Sequence, residues 1–312
     1  MSDPTPPKSP WHAFRRAGIT GTDAAALMGR GRASPLSVYL DKKGLLPEVE
    51  ENEAMYWGTR LEPLLVEEFM RRTPYQRIVV HQPEDGHEFR LLHPLDEQGQ
   101  RRMVMFRRDE PWARCTPDAF YMRPGTGPLE RLGILECKTT GFRGADAWQE
   151  QPPLPAQVQL QWNLYVSGLK HGALVCLIGG QRFVGYEMER NDRFLEHLRG
   201  EAFRFWEENI LGDKQPEPGP DDLDLVRVRS RPENGTTITL PPEAATLDQD
   251  LLQAKEDLAD ATARVDGIEA KLIQMLGHAS FGEIPELDVR YSYHTQQRGD
   301  TEFRTLRRRQ MK

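Results

Sequence analysis

One stretch decides how this chain folds and what chemistry it can carry: Gly133-Ile134-Leu135-Glu136-Cys137-Lys138-Thr139-Thr140. Its apolar residues before the acid predict a buried β-strand over 134–138. Because side chains alternate along a strand, Glu136 and Lys138 share one face and Cys137 lies on the other. A carboxylate in a buried strand is costly without a partner, so we expect a cation beside Glu136, and a metal ion is its natural partner.

A second acid stands upstream of this strand, in the segment Arg114-Cys115-Thr116-Pro117-Asp118-Ala119-Phe120. Asp118 precedes another strand, predicted over 119–122, and a turn with glycine and proline joins the two strands. Two carboxylates and a lysine are what a metal-dependent phosphodiesterase needs to activate water and offset charge at phosphorus. Magnesium prefers oxygen ligands and keeps several waters, so few carboxylates suffice, and the backbone carbonyl of Cys137 can add a ligand. Each acidic motif alone, however, more often marks a surface turn or a strand ion pair.

The composition limits the class of protein. The 312-residue chain exceeds one average domain and, with 38% hydrophobic residues, can bury a core. Its three cysteines form neither a disulfide framework nor a CxxC pair, which argues against a zinc or iron–sulfur site and for a reducing cytoplasm. The first residues lack the apolar stretch of a signal peptide, and no apolar run is long enough to span a bilayer, so we expect a cytoplasmic location and no membrane partner.

The net charge of −7 counts mildly against a protein that coats DNA. Arginines can still be gathered locally, and they cluster at 15–16, 101–102, 107–108 and 307–309. Each of these clusters is either part of a binding surface or a solvated face.

Local patterns predict a mixed core followed by an appendage. We expect helices over 20–29, 35–43, 56–72, 157–166 and 192–209, and strands over 77–81, 103–106, 119–122, 134–138, 173–180 and 183–187. The run 173–180 is almost continuously apolar, which is typical of a strand buried on both faces. We assign 1–10 to a disordered lead-in, 11–213 to the core, 214–245 to a linker and 246–312 to a C-terminal appendage.

A heptad-like stripe opens the appendage. Apolar residues recur at alternating steps of three and four between Leu247 and Met275, and Gly277 follows them. The stripe predicts a long helix that either docks within its own chain or pairs with another chain as a coiled coil. A short strand over 289–294 and a basic tail over 304–312 complete the chain.

Two further groups of polar residues accompany the acids. Glu62 lies near the apolar stripe of helix 56–72, where the simpler interpretation is a rim carboxylate paired with Arg60 or another arginine. The predicted helix 157–166 is rich in amides at its start, with Gln157, Gln159 and Gln161. Buried amides need partners, so these face either a ligand or backbone edges, or they form an exposed polar face.

Five motifs follow one another in an order that carries a resemblance. They are Trp11 with Arg15-Arg16-Ala17-Gly18-Ile19-Thr20-Gly21-Thr22-Asp23, then Tyr56-Trp57-Gly58-Thr59-Arg60-Leu61-Glu62, Cys115-Thr116-Pro117-Asp118, Leu135-Glu136-Cys137-Lys138 and Gln157-Val158-Gln159. Over roughly 11–209 the chain resembles the YqaJ-type viral recombinase family, relatives of phage lambda exonuclease in the PD-(D/E)xK nuclease superfamily. The resemblance implies an α/β (α+β) fold: a restriction-endonuclease-like core with a central mixed sheet flanked by helices, followed by a long helix and a short strand.

The resemblance also implies a role for individual residues. The implied metal ligands are Asp118, Glu136, Glu62 and the carbonyl of Cys137. Lys138 would position the attacking water, and Gln157 would sit beside the active site. The implied groups for the terminal 5′ phosphate and adjoining DNA are Arg15 or Arg16, Thr20, Thr22 and Gln159. This chain has one residue fewer before Ile19 than the lambda-like pattern, so both arginines remain candidates, and Asp23 must turn away from the phosphate.

The implied activity is a magnesium-dependent 5′→3′ exonuclease that degrades one strand of linear double-stranded DNA and exposes a 3′ single strand for annealing. Two Mg²⁺ ions are expected, and Mn²⁺ can replace them. By family analogy the protein would be a homo-oligomer, a trimer, with a single-strand annealing protein as partner in a bacterial or phage-infected cell. Two alternatives stay open: an endonuclease or repair nuclease of the same superfamily, and a non-catalytic module that binds DNA ends or directs assembly.

Overall fold

The chain forms two compact units, residues 1–231 and 232–312. The computed structural model describes residues 5–31, 33–46, 52–80, 89–125, 127–230, 232–299 and 301–311. The division falls inside the predicted linker 214–245, but the first part of that segment belongs to the first unit. There, the buried Asp222 accepts a hydrogen bond from the Ser34 hydroxyl, and Arg229 Nη1 donates to the Leu45 carbonyl at 2.8 Å.

Helices of the first unit begin and end at recognisable signals. Ser9 and Asn52 cap two of them, since each side chain accepts a hydrogen bond from the backbone three residues on. Gly168 ends another in a left-handed conformation, which glycine adopts without steric cost. The helices are α1 (Pro10–Arg16), α2 (Gly21–Leu27), α3 (Pro35–Lys42), α4 (Glu53–Arg72), α5 (Pro128–Arg131), α6 (Leu154–Ser167), α7 (Asp192–Phe205) and α8 (Leu223–Arg229).

A five-stranded mixed sheet forms the centre of this unit. Its strands, in spatial order, are β1 (Gln76–Ile78), β5 (Ala119–Met122), β6 (Leu132–Thr140), β7 (His171–Ile178) and β8 (Arg182–Glu189). The β6–β7 pair is parallel, and the other neighbours are antiparallel. A smaller antiparallel sheet joins β2 (Phe89–Leu92), β3 (Val104–Arg107) and β4 (Arg114–Cys115).

Helices cover both faces of the central sheet, so the predicted fold class is confirmed. Leu65, Val66 and Phe69 of α4 pack on one face, against a cluster that includes Leu135 and Val175. Helices α2, α3, α6 and α7 supply the core of the other face, which includes Ile134 and Leu174. Alternation along β6 therefore directs Glu136, like Ile134, to the side of α6.

Several predicted boundaries shift. The strand predicted over 77–81 ends at Ile78, and His81 lies outside the described residues. The helix predicted over 192–209 is α-helical to Phe205 and continues as a π-helical turn over Trp206–Leu211. Strand β7 is buried along nearly its whole length, which confirms a strand covered on both faces.

The second unit combines one long helix with short antiparallel strands. Helix α9 (Ala244–Leu276) is followed by β9 (Phe281–Ile284), β10 (Val289–Ser292), β11 (Thr295–Arg298), β12 (Thr301–Arg304) and β13 (Arg307–Gln310). Strand β10 lies between β13 and β9, and β11 pairs with β12. The predicted long helix ends at Gly277 as expected, and no residue of α9 is buried. The basic segment predicted as a tail over 304–312 includes β13, which pairs with β10 along its whole length.

Within the described ranges, none of the helices has both the length and the apolar character needed to cross a lipid bilayer.

Candidate active site

A cavity of about 540 Å³ lies where β5 begins beside β6. Helices α1, α2, α4 and α6 contribute to its wall. Its acidic lining residues are Glu62, Asp118 and Glu136, and its basic ones are Arg15, Arg77, Arg101, Arg102 and Lys138. A chain with a net charge of −7 therefore gathers positive side chains around one compact group of acids.

Asp118, which directly precedes β5, makes a hydrogen bond to β6. Its Oδ2 accepts a hydrogen bond from the backbone N–H of Cys137 at 2.6 Å. In a strand, the N–H and C=O of one residue point to the same edge, so the Cys137 carbonyl faces the side on which Asp118 lies. Strand β5 starts only at Ala119, and this edge of β6 is therefore open to a ligand there.

Glu136 is buried and receives hydrogen bonds from three side chains. Its Oε1 accepts from Lys138 Nζ at 2.6 Å and from Gln159 Nε2 at 2.6 Å. Its Oε2 accepts from Asn163 Nδ2 at 3.1 Å. Gln159 and Asn163 are four residues apart on α6 and thus share one helix face. The carboxylate is consequently held in one orientation by its own strand and by α6.

Mutual repulsion and burial perturb the acids of this cavity. Burial raises the pKa of Asp118 well above its ordinary value, and the nearby carboxylates of Glu136 and Glu62 raise it further. Burial likewise raises the pKa of Glu62, which Arg102 offsets only in part from 3.8 Å. Burial opposes the charge of Lys138, but Glu136 and Asp118 prevail and raise the pKa of its ammonium. Lys138 is therefore protonated at neutral pH.

These residues fit a divalent cation by their chemistry. Oxygen donors from Asp118, Glu136, Glu62 and the Cys137 carbonyl suit magnesium, and a cation would relieve the repulsion that raises the carboxyl pKa values. Among the described residues no three His, Cys, Asp or Glu side chains already form a ligand set. Lys138 supplies the positive charge beside Glu136 in this structure.

The arginine of the N-terminal motif that reaches this cavity is Arg15. Its Nη2 donates to the Thr22 hydroxyl at 3.3 Å, and its guanidinium lies 4.9 Å from the centre of the Trp11 ring. Arg16 points elsewhere: its Nη1 donates to the Thr5 carbonyl at 2.7 Å. The indole N–H of Trp11 is buried and has no acceptor in the part of the chain that the structure describes.

Asp23 does turn away from this cavity, as the proximity of a phosphate would require. Its Oδ2 accepts hydrogen bonds from the backbone N–H and the hydroxyl of Thr20, both at 2.7 Å. The same oxygen lies 2.6 Å from Lys42 Nζ, whose side chain is 1% exposed. Burial opposes ionisation of Asp23, but Lys42 outweighs it and lowers the carboxyl pKa. Lys42 thus neutralises the negative charge of Asp23, which follows Thr22 in the chain.

Gln157 and Gln159 lie in different places. The structure does not bring Gln157 to the cavity: its Nε2 donates to the Pro152 carbonyl at 2.6 Å, just before α6. Side chains two positions apart on an α-helix point about 200° apart, so only one of Gln157 and Gln159 can face Glu136. Gln159 is the one that does. Gln159 was expected at the DNA, whereas here it contacts a catalytic candidate directly.

Sequence reasoning missed several lining residues. The position of Asn163 beside Gln159 could have been predicted, because the two lie four residues apart on an amide-rich helix. Arg77 reaches the cavity from β1, whose placement depends on tertiary structure. The arginine cluster at 101–102, which the sequence left open between a binding surface and a solvated face, also lines the cavity.

An acid just before β5 and an acid and a lysine within the neighbouring β6, with several arginines around them, form an arrangement suited to phosphodiester hydrolysis. The model of the YqaJ-like viral recombinase domain matches residues 10–170, and the chain belongs to this family. It is 26% identical over 286 residues to the uncharacterized protein YqaJ of Bacillus subtilis (strain 168), a match covering 88% of this chain and 80% of that protein.

Solved structures of similar shape include an alkaline exonuclease (LHK-Exo) from Laribacter hongkongensis. It is 17% identical, with a TM-score of 0.42, and the match covers 64% of this chain and 90% of that chain. A structure of LHK-Exo in complex with dAMP matches with a TM-score of 0.41 and 19% identity over the same shares. The family assignment rests on the domain match.

Proposed function

We propose that this protein is a magnesium-dependent 5′→3′ exonuclease that degrades one strand of linear double-stranded DNA and exposes a 3′ single strand for strand annealing. One observation carries the proposal. The group formed by Asp118, Glu136 and Lys138 lines the same cavity as Arg15 and Thr22. The residues proposed for phosphodiester hydrolysis and those proposed for the terminal phosphate therefore share one cavity.

The chain's own residues divide the work of hydrolysis. Asp118, Glu136, Glu62 and the Cys137 carbonyl would hold magnesium, two ions in the family pattern, with manganese as a substitute. When bound there, the metal would supply activation of water and compensation of charge at phosphorus. The Lys138 ammonium orients the attacking water and stabilises negative charge as it develops. Gln159 and Asn163 keep Glu136 in position by donating to both of its oxygens.

Arg15 and Thr22 would select the 5′ end. A guanidinium and a hydroxyl near the start of a helix suit a phosphate group. The Trp11 N–H, for which the described residues supply no acceptor, can add a third donor. Thr20 would support Arg15 and Thr22 without contacting the phosphate, because its hydroxyl donates to Asp23. Arg77, Arg101 and Arg102 widen the positive wall along which duplex DNA would run.

The assembly and setting follow the family pattern. We propose a homo-oligomer, a trimer by analogy, that acts on double-stranded DNA ends in the cytoplasm of a bacterial or phage-infected cell. A single-strand annealing protein is its expected partner, because the product strand must be taken up for recombination.

Digestion of linear and covalently closed circular DNA tests the activity. In magnesium, the linear duplex should be consumed and the closed circle left intact, and excess chelator should stop the reaction. Cutting of the closed circle would show an endonuclease instead. Binding of linear DNA without any loss of nucleotides would show a non-catalytic module.

The choice between Arg15 and Arg16 tests the 5′-phosphate site. Wild-type protein should digest a 5′-phosphate end faster than a 5′-hydroxyl end. Arg15→Ala should remove that preference, with a loss on the order of tenfold or more on phosphorylated ends, since a hydrogen bond to a charged group is lost. Arg16→Ala is the matched control and should keep the preference. Equal rates on both ends in the wild type would eliminate this role.

A further inference from the structure

A basic sheet face in the second unit has no role in the proposed active site. Residues 290–312 contain six arginines and one lysine against two acids, a net charge of +5 in a chain of −7. Most of these cations lie on or next to strands β10 to β13. Such a concentration in an acidic chain indicates an anionic ligand.

The strand register places three arginines and one aromatic ring on the same face. Arg309 is opposite Arg290, and Arg307 is opposite Ser292, which in turn is opposite Phe281. Residues opposite one another in an antiparallel ladder point to the same side of the sheet. Val289, on the opposite side, is fully buried, whereas Arg307 and Arg309 are exposed to solvent.

Phe281 forms an open aromatic platform on this face. Its side chain is 58% exposed, although a large apolar ring is normally covered. The Arg290 guanidinium lies 5.8 Å from the ring centre, and the His294 ring lies 6.3 Å from it. The platform is thus bordered by cationic and hydrogen-bonding side chains rather than by apolar ones.

The arginines around Phe281 differ in whether an acidic side chain already neutralises their charge. Arg290 donates to Glu283 and is neutralised locally. Arg307 donates to the amide oxygen of Gln296 at 3.1 Å, a neutral partner that leaves its charge available. Neither Arg307 nor Arg309 has an acidic partner within the described residues, and both are exposed.

We infer that this face binds single-stranded DNA, with a base stacked on Phe281 and the backbone phosphates against Arg307 and Arg309. Aromatic rings that stack bases beside cations that follow the backbone are the chemistry of single-strand binding surfaces. A duplex hides its bases, so it could use only the arginines. The choice of DNA rests on the proposed function, because 5′→3′ digestion leaves a DNA single strand that this face could retain.

Binding to the full-length protein tests the inference without digestion. Fluorescence anisotropy is measured in chelator, with a labelled mixed-sequence single strand and with a duplex closed by hairpins at both ends. The variants are Phe281→Ala and the double change Arg307→Glu with Arg309→Glu. The double change Arg182→Glu with Arg193→Glu is the charge-matched control, at exposed positions of the first unit. Thermal unfolding curves verify that every variant is folded.

Phe281→Ala should weaken single-strand binding about tenfold and leave duplex binding unchanged, because only the stacked base is lost. The double change should weaken binding of both ligands and make it less sensitive to salt, since phosphate contacts are removed. The control should stay within about twofold of wild type, because its net charge changes equally but at another place.

Unchanged single-strand affinity in folded Phe281→Ala would overturn the inference, as would an equal loss for both ligands. Retention on anionic vesicles without oligonucleotide binding would assign the face to a membrane and also overturn it. Digestion of linear duplex in magnesium is measured separately. If the wild type digests the duplex but the variants bind DNA with unchanged affinity, only this inference is overturned. If single-strand binding depends on Phe281 but no digestion occurs, only the proposed exonuclease activity is overturned.

Discussion

At the residue scale, Glu136 connects the two elements that build the site. It is 3% exposed, and it receives Lys138 from its own strand and two amides from α6. Removal of one amide leaves the carboxylate buried but less firmly oriented. Orientation matters for catalysis because small displacements of reacting groups cost large factors in rate.

The two glutamines of α6 offer a paired test of this arrangement. Gln159→Ala should lower the digestion rate by about tenfold or more, because Glu136 loses a donor at the oxygen that also contacts Lys138. Gln157→Ala removes only a bond to the Pro152 carbonyl and should stay near wild type. The readout is the initial rate on linear duplex. A larger loss for Gln157→Ala would show that the resemblance, and not the contact with Glu136, identifies the functional amide.

The Asp23–Lys42 pair should contribute to stability in a pH-dependent way. The pKa of Asp23 in the folded chain lies below its ordinary value of 3.8, so its contribution is complete above that value and is lost as the pH falls through the folded pKa. Asp23→Asn should therefore lower the free energy of unfolding by about 3 kcal/mol at neutral pH, since Lys42 loses its buried partner. The difference from wild type should shrink below about pH 4.

Asp41→Asn is the control for that pair. Asp41 also lies near Lys42, at 3.6 Å, but its side chain is 37% exposed. Its loss should cost less than about 1 kcal/mol. Denaturant unfolding of the three proteins across pH provides the comparison, and a pH-independent effect of Asp23→Asn would show that the ion pair is not its cause.

How far the site could be predicted depends on the type of element. Alternation in a strand is simple, and it correctly places Lys138 beside Glu136. Helix α6 is buried around most of its circumference, so its hydrophobic pattern does not reveal which amide faces the sheet. That is why the hydrophobic pattern could not show whether Gln157 or Gln159 faces Glu136.

At the element scale, the close approach of α2 to α6 connects the N-terminal motif with the acids. Gly21 permits it: a Cβ at this position would lie 2.8 Å from Gln159 Cγ and 3.0 Å from Asn163 Oδ1. Both of those side chains donate to Glu136. The fold thus uses one glycine to place Thr20 and Thr22 next to the catalytic candidates.

Gly21→Ala should lower both stability and activity. The added methyl group must displace Gln159, which costs about 1–3 kcal/mol and disturbs Glu136. Gly200→Ala is the matched control, because Gly200 lies inside α7 and, apart from the backbone of that helix and its chain neighbours, no atom of the described residues lies within 4 Å of its Cβ position. It should stabilise the chain by about 0.5–1 kcal/mol and leave the digestion rate unchanged. Thermal unfolding and digestion rates are measured for both variants, and equal behaviour would refute the close packing of α2 on α6.

Elements with a clear pattern were predictable, and those that depend on long-range pairing were not. The buried strand β7 and the end of α9 at Gly277 follow from apolar runs and a glycine. Strand β13 has three successive arginines, so neither alternation nor apolar content marks it, and its pairing with β10 defines it. Strands β2 and β4 are likewise short and are defined by their pairing with β3.

At the scale of the whole molecule, the distribution of charge matters more than its sum. The net charge of −7 gives no sign of nucleic-acid binding. The first unit nevertheless collects arginines around its cavity, and the second carries a net charge of +5 over 290–312. Both concentrations depend on which residues the fold brings together, so average composition could not predict them.

The central claim is that one cavity hydrolyses a DNA strand from its 5′ end. It is tested most directly with a linear 5′-phosphorylated duplex labelled at either the 5′ or the 3′ end of one strand, incubated with full-length protein in magnesium. We predict that the 5′ label leaves first as a mononucleotide, that the 3′ label stays on long DNA until digestion reaches it, and that folded Lys138→Ala releases neither. Earlier release of the 3′ label, release of longer fragments, or undiminished digestion by Lys138→Ala would contradict the account.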